Sequence, residues 1–296
     1  MPTRKPNFAI RSATPADISA ITTMYRFDSF FHAQGDPERA EFYFAVVKAA
    51  GGEVLVAVEG DAVIGHLELL LCQEAPPLGR YGYLETLEVR ADRRRRGVGR
   101  ALVEEAKRIT RAAGGSRLET VPEDDIAAAL YMATGFQQGV TYLDLDLAVP
   151  PEALTGAAPL GLPLPPGSRP WLHTRHIAGR QYPAAFCWAR AHLAGRWSLP
   201  EAEGTGAWQP RDSAAIILAD PWLVHLFLPT DIAPESDEAW PAWQAMLALR
   251  GGAREGYVRT VLETATARVL RWPECWPGST ADPFTLLACP LRRAAV

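Results

Sequence analysis

Seven consecutive residues, Arg94, Arg95, Arg96, Gly97, Val98, Gly99 and Arg100, lie between a strand-like run, YLETLEV, and an amphipathic helical run, ALVEEAKRIT. A glycine-bearing loop that opens directly onto a helix gathers several backbone N–H groups around one point. The positive end of the helix macrodipole faces the same point. That arrangement binds phosphate. The glycines let a ligand approach the main chain because no Cβ stands in the way.

The elements that must position this loop read clearly. FAIRSA is a strand, and Thr14-Pro15 marks a helix start with Thr14 as N-cap. That helix is expected over 15–27. A second helical stretch runs to Gly51-Gly52, and EVLVAVEGDAVIGHLELLL is a hairpin turning at Gly60-Asp61. YGYLETLEVR is a strand, and Gly97 to Ala113 is a helix. Leu102, Val103, Ala106 and Ile109 form its buried stripe, and Glu104, Glu105 and Lys107 its outer face. SRLETV, DIAAALYMATG and VTYLDLDLA follow as strand, helix and strand. The order is β-α-α-β-β-β-α-β-α-β, a mixed α/β domain.

Composition bounds the rest. The 296 residues suffice for two domains, and 48% hydrophobic with 22% charged residues is a globular profile. A net charge of −4 gives no reason to expect nucleic acid as a partner. Cys72, Cys187, Cys275 and Cys289 form no CxxC pair, which fits a reducing compartment and offers no zinc site. The N-terminus lacks a signal-peptide run and no apolar stretch reaches membrane-spanning length, so a cytoplasmic protein is expected. All nine tryptophans lie at or after Trp171, and 18 of the 25 prolines at or after Pro150. This shift marks a boundary: a first domain over 6–148, a Pro/Gly-rich linker over 149–167 and an α+β domain over 168–296.

The run from Arg94 to Gly99 resembles the Q/R-x-x-G-x-G/A pattern of the GNAT superfamily of acyl-CoA-dependent N-acyltransferases. Asp124, Ala127, Tyr131, Gly135 and Phe136 resemble that family's N-x-x-A-x-x-x-Y-x-x-x-G-F element, with Asp124 where Asn is usual. The element order agrees over 8–148, about half of the chain. The resemblance implies a mixed, mostly antiparallel sheet flanked by helices, whose fourth and fifth strands splay around the pantetheine arm of CoA. It implies acetyl-CoA as co-substrate and a small-molecule or peptide amine as acceptor. On strand four, Leu87, Glu88 and Val89 fall at the pantetheine site, with the backbone of Leu87 and Val89 as its donors and acceptors. Backbone groups from Arg94 through Arg100 fall at the pyrophosphate, and Asp124 and Tyr131 complete the cofactor positions. Tyr131 is implied as general acid for the leaving thiolate, or else a packed helix tyrosine. Glu85 is implied as general base, or else a rim carboxylate steering a cationic acceptor. The Leu87 N–H is implied as oxyanion donor. Glu85 is expected on the same strand face as Leu87, and Glu88 on the opposite one.

No cysteine falls at this centre, so direct transfer in a ternary complex is expected, without an acyl-enzyme. A non-catalytic CoA-binding or regulatory protein, and a different acyl donor, remain alternatives. The aromatic-rich segment from Tyr25 to His32 offers an acceptor pocket or mere packing, and His66 reads as a sheet histidine. The second half parallels the first in order and spacing, as a degenerate GNAT-like repeat or an unrelated α+β domain. It lacks a counterpart of the arginine-glycine loop, which leaves pocket closure, homodimer formation or stabilisation as its roles. His173-x-x-His176 has no clear third ligand, so no metal is assigned.

Overall fold

Alternating apolar residues in EVLVAVE and AVIGHLELLL form β2 (Glu53–Glu59) and β3 (Ala62–Glu74), antiparallel strands joined by Gly60 at φ +60°. In the computed structural model the chain is described over residues 7–24, 37–150, 152, 160–197, 204–211, 213–251, 257–272 and 278–291. It divides into two units. The first holds residues 1–72, 80–138 and 287–296; the second holds 73–79 and 139–286.

The first unit also contains β1 (Ala9–Ser12), α1 (Ile18–Thr22), α2 (Pro37–Ala49), β4 (Gly79–Val89), α3 (Val98–Ala112), β5 (Arg117–Thr120) and α4 (Asp125–Ala133). The strand β6 (Gln137–Ala148) starts there and runs on into the second unit. The expected order of elements is the observed one. The helix expected over 15–27 is a 3-10 turn at Pro15–Asp17 followed by α1, with residues beyond Met24 outside the described set. β1 and β2 pair antiparallel, and β4 and β5 pair parallel. Leu102, Val103 and Ala106 of α3 pack with Leu84, Leu118, Tyr131 and Phe136 in one apolar core. Lys107, expected on the outer face of α3, is buried instead. Its ammonium bonds Glu104 and the Thr134 carbonyl and lies 5.9 Å from the Phe136 ring centre, so it ties α3 to the end of α4.

The sheet of the first unit is completed from the far end of the chain. In β12 (Thr280–Pro290), residues 287–290 pair antiparallel with β5, Leu287 opposite Thr120 and Pro290 opposite Arg117. Leu287, Cys289 and Leu291 join the first unit's core. A division at 148 and 168 is therefore not where the units meet. The chain passes between them inside β6 and inside β12. Residues 160–167, expected as linker, are built into the second unit: Leu164 N–H donates to the Ala207 carbonyl at 2.7 Å, and Trp188 Nε1 to the Pro166 carbonyl at 3.2 Å.

The second unit comprises β7 (Thr174–Ala178), α5 (Ala184–Leu193), β8 (Gly206–Trp208), β9 (Ile216–Ala219), β10 (Val224–Pro229), α6 (Trp240–Gly251), β11 (Tyr257–Glu263), α7 (Thr264–Leu270) and the first part of β12. Its strand order is β12-β6-β11-β7-β10-β9-β8. β7 is antiparallel to both β10 and β11, so those two run parallel with β7 between them. A plain repeat of the first unit would put its opening strand at the sheet edge, as β1 is. The interior place of β7 departs from that plan.

Candidate functional site

β4 and β5 stay together for three register pairs only, Gly82 with Leu118, Tyr83 with Glu119 and Leu84 with Thr120. β5 then ends, while β4 runs on through Glu85, Thr86, Leu87, Glu88 and Val89. At the last pair the Thr120 hydroxyl donates to the Leu84 carbonyl at 3.0 Å. The two strands thus part at a fork clasped by Thr120.

Strict alternation fails just past this fork. Gly82 faces Thr110 of α3, and Leu84 packs in the α3 core. Leu87 and Val89 pack against that same core and approach Gly99. Residues 84 and 87 share a face only if the strand gains one residue between them, as a β-bulge does. Glu85 is half-buried one residue beyond the clasp.

β4 leads into the loop at α3. Gly97 caps the helix at φ +83°, and Arg95 is also left-handed at φ +62°, which is costly for a residue with a Cβ. Left-handed residues interleaved with others turn successive N–H groups to one side, the backbone form of an anion nest. The first intrahelical bond is Ala101 N–H to the Gly97 carbonyl at 3.0 Å, so the N–H groups of Val98, Gly99 and Arg100 have no helical acceptor. The two glycines act differently from the expectation that both admit a ligand. A Cβ on Gly97 would meet open space, so its need is the positive φ. A Cβ on Gly99 would lie 3.1 Å from Leu130, so its need is the contact between α3 and α4.

The arginines divide into two groups. Arg93 is held by Glu59 and Asp92 at 2.7 and 2.6 Å. Arg94 donates to the Val89 carbonyl at 3.0 Å and lies 3.5 Å from Glu88. Arg95, Arg96 and Arg100 have no ion pair among the described residues. Val98 turns its side chain into the core, leaving only its main chain for the loop.

Tyr131 is 5% exposed, its ring 5.3 Å from that of Phe136. Burial pushes its phenol up to about 12, and the carboxylates of Glu88, Glu123 and Glu85 push the same way. A hydrogen bond with the Thr120 side chain opposes them. The phenol is therefore protonated at neutral pH. Glu88, expected to point away, is the carboxylate that acts on Tyr131 most strongly. Asp124 does not join this group: it caps α4, its carboxylate accepting from Ala127 N–H at 2.7 Å. His66 is fully buried in β3 opposite Val56. The aromatic segment from Tyr25 to His32 lies outside the described residues. Sequence reading missed Thr120, because nothing in SRLETV says at which residue its strand leaves its neighbour.

The second unit has its own buried polar chain. His176 Nε2 lies 3.2 Å from His225 Nδ1, and His225 Nε2 lies 2.9 Å from Asp220. Cys187, Asp220 and His225 bring ligand-type atoms within 4.8 Å of one another. Arg190, wholly buried, ion-pairs Asp220 and contacts the Cys187 sulfur, so a guanidinium already supplies the positive charge there. Burial, then His225 and Arg180, hold His176 well below the usual histidine range. His176 pairs with His225 rather than with His173 as a ligand couple.

The family model described as acetyltransferase (GNAT) matches residues 19–136. Among solved structures, a proposed acetyltransferase of Pyrococcus horikoshii aligns over 99% of this chain and 93% of its own, at 12% identity and a TM-score of 0.57. That likeness concerns the fold, a mixed α+β arrangement with a mostly antiparallel sheet flanked by helices, over both units. A ribosomal-protein-alanine N-acetyltransferase of Brucella melitensis aligns over 45% of this chain and 86% of its own, at 23% identity and TM-score 0.39. A phosphinothricin acetyltransferase of Sinorhizobium meliloti in complex with AcCoA aligns over 46% and 77%, at 23% and 0.38. No curated protein matches the sequence. Among the described residues no helix is long and apolar enough to cross a membrane.

Proposed function

We propose that this chain, whose residues 19–136 match the acetyltransferase (GNAT) family model, is an N-acetyltransferase that passes the acetyl group of acetyl-CoA directly to a primary amine. The observation that carries this reading is the parting of β4 from β5 at Leu84 and Thr120, just upstream of the amide-rich entry to α3. Two further features fit CoA. The space beside Gly97 is open, and Arg95, Arg96 and Arg100 are cations uncommitted to a described carboxylate. In this reading the main chain of Leu87 and Val89 holds the pantetheine amides, and the amides from Arg94 to Arg100 hold the pyrophosphate. Glu88 steadies Arg94 beside them. The thioester supplies an activated acyl group.

Glu85, half-buried at the fork, draws the proton from the acceptor nitrogen or steers its ammonium form inward. The Leu87 N–H serves as oxyanion donor. Tyr131, protonated near pH 7, donates toward the departing sulfur. The magnitude limits what it does. An alkyl thiol of cysteine-like basicity sits near 8.5, so complete transfer from a phenol near 12 is uphill by about 3.5 units, roughly 5 kcal/mol. Hydrogen bonding to the sulfur, rather than complete proton loss, is what Tyr131 provides unaided.

Calorimetry with acetyl-CoA and thiol release across a panel of amines test this. Tyr131→Phe and Glu85→Gln are expected to bind acetyl-CoA within about threefold of wild type while turnover falls by roughly 10²–10⁴. Binding without thiol release for any amine would favour a CoA-binding regulator, and absence of acetyl-CoA binding removes the reading altogether.

A further inference from the structure

We infer that the second unit contains a fork of the same build as the first, and that its own strand β7 fills the place which the pantetheine arm takes in the first, so that the chain binds one acetyl-CoA and not two. What the first fork holds rests on the acyltransferase reading above. The first fork is made by the parallel strands β4 and β5, with the helix α3 between them in the chain. It is clasped where the Thr120 hydroxyl donates to the Leu84 carbonyl at 3.0 Å. β10 and β11 repeat each part. They run parallel, the helix α6 lies between them in the chain, and the Thr260 hydroxyl donates to the Val224 carbonyl at 2.9 Å. Both threonines are buried. His225 follows the clasped Val224 as Glu85 follows the clasped Leu84.

Beyond the clasp the two forks differ. β4 and β5 part after Leu84 and Thr120. Between β10 and β11 stands β7, its C-terminal end toward the clasp. Ala178 pairs with Leu226 of β10 and with Leu262 of β11, and the Gly179 N–H donates to the Val261 carbonyl at 2.7 Å. Main-chain groups on both sides of the second gap are thus engaged by β7, and an arm that needs them cannot enter without unpairing it. Side chains fasten the strand. His176 Nε2 lies 3.2 Å from His225 Nδ1, His225 is anchored to Asp220, and the His176 ring stacks on Phe227 with centres 4.3 Å apart. Gly179 sits at φ +81°, where a Cβ would stand 2.1 Å from His225 Nδ1, so the fit admits only glycine. The approach to α6 agrees. Where the first unit has arginines before its helix, the second has Asp231, Glu235, Asp237 and Glu238, which repel a pyrophosphate.

Calorimetry and hydrogen exchange on the full chain test this. Titration with acetyl-CoA is expected to give one site per chain. In the free protein, exchange over residues 174–180, read by mass spectrometry, is expected to be as slow as over β10, because β7 already has a strand on each side. Saturating acetyl-CoA is expected to slow exchange over residues 85–90 and to leave residues 174–180 unchanged. Gly179→Ala, which drives a methyl group into His225, is expected to speed exchange over 174–180 by about tenfold or more. Two sites per chain, protection gained over 174–180 on adding acetyl-CoA, or exchange there about tenfold faster than over β10 would each overturn the inference. If Gly179→Ala does not fold, the wild-type site count and exchange rates decide. A wild-type protein that binds no acetyl-CoA would defeat the acyltransferase reading instead, and the exchange rate over 174–180 in the free protein would still judge whether β7 fills the second fork.

Discussion

Tyr131 shows how far one side chain's surroundings can be read as a rule about pH. Burial raises its phenol from 10 to about 12, and three carboxylates add to the shift. Below pH 10 the phenol is protonated in the folded and unfolded chain alike, so it makes stability neither rise nor fall. Between about 10 and 12 the unfolded chain ionises while the folded one resists, so the unfolded state loses protons first and stability falls as pH rises. A shift of that size corresponds to roughly 3 kcal/mol. Chemical denaturation of wild type and Tyr131→Phe from pH 9 to 12 should therefore show the wild-type curve falling more steeply by about that amount. Parallel curves would mean that the phenol is not desolvated. The residue type and its spacing from Gly135-Phe136 were visible in the sequence. Its environment was not, because Glu88 and Thr120 reach it from β4 and β5 and Glu123 from the loop before α4. Lys107 was hidden for the same reason: a lysine on the flank of a helical stripe reads as solvated until α4 supplies the Thr134 carbonyl.

At the scale of elements, the entry to α3 separates two glycines that look alike in sequence. Gly97 adopts φ +83°, where an L-residue costs about 1–2 kcal/mol, although its Cβ would meet nothing. Gly99 has ordinary helical geometry, but a Cβ there would stand 3.1 Å from Leu130. Gly97→Ala is therefore expected to destabilise by about 1–2 kcal/mol and to weaken acetyl-CoA binding through distortion of the loop. Gly99→Ala gains about 1 kcal/mol of helix propensity against a contact that a flexible leucine can relieve, so its melting temperature is expected to stay close to wild type. Thermal melts and acetyl-CoA titrations of both variants check this; a Gly99→Ala variant as unstable as Gly97→Ala would contradict it. The loop was legible because its helix, its glycines and its preceding strand each make a local demand. The fork in β4 was not. Its one-residue shift between Leu84 and Leu87 leaves no mark in YLETLEV.

For the whole molecule the decisive fact is that the first unit is not a continuous stretch of chain. The family model ends at residue 136, and the shift in tryptophan and proline content suggested a cut near 150. Yet β5 takes its second neighbour from residues 287–290, and Leu287, Cys289 and Leu291 are each buried in the first unit's core. A strand's alternation tells which of its faces is apolar but not which sheet it enters, so FTLLACPLR was open to either assignment. Burying three side chains of this size contributes roughly 4–8 kcal/mol, which is comparable to the whole stability of an ordinary domain. A chain ending at residue 148 would also leave β5, the strand that carries Thr120, with a bare edge. The 1–148 fragment is therefore expected to lack a cooperative melt and to bind no acetyl-CoA. Leu287→Asp in the full chain should destabilise the first unit by more than about 3 kcal/mol, despite lying 167 residues from its partner Thr120 in sequence. Circular dichroism melts and acetyl-CoA titration of both proteins decide the matter. A 1–148 fragment that melts cooperatively and binds acetyl-CoA like the full chain would show that the first unit closes its own sheet, and that the far strand is an ornament rather than a part.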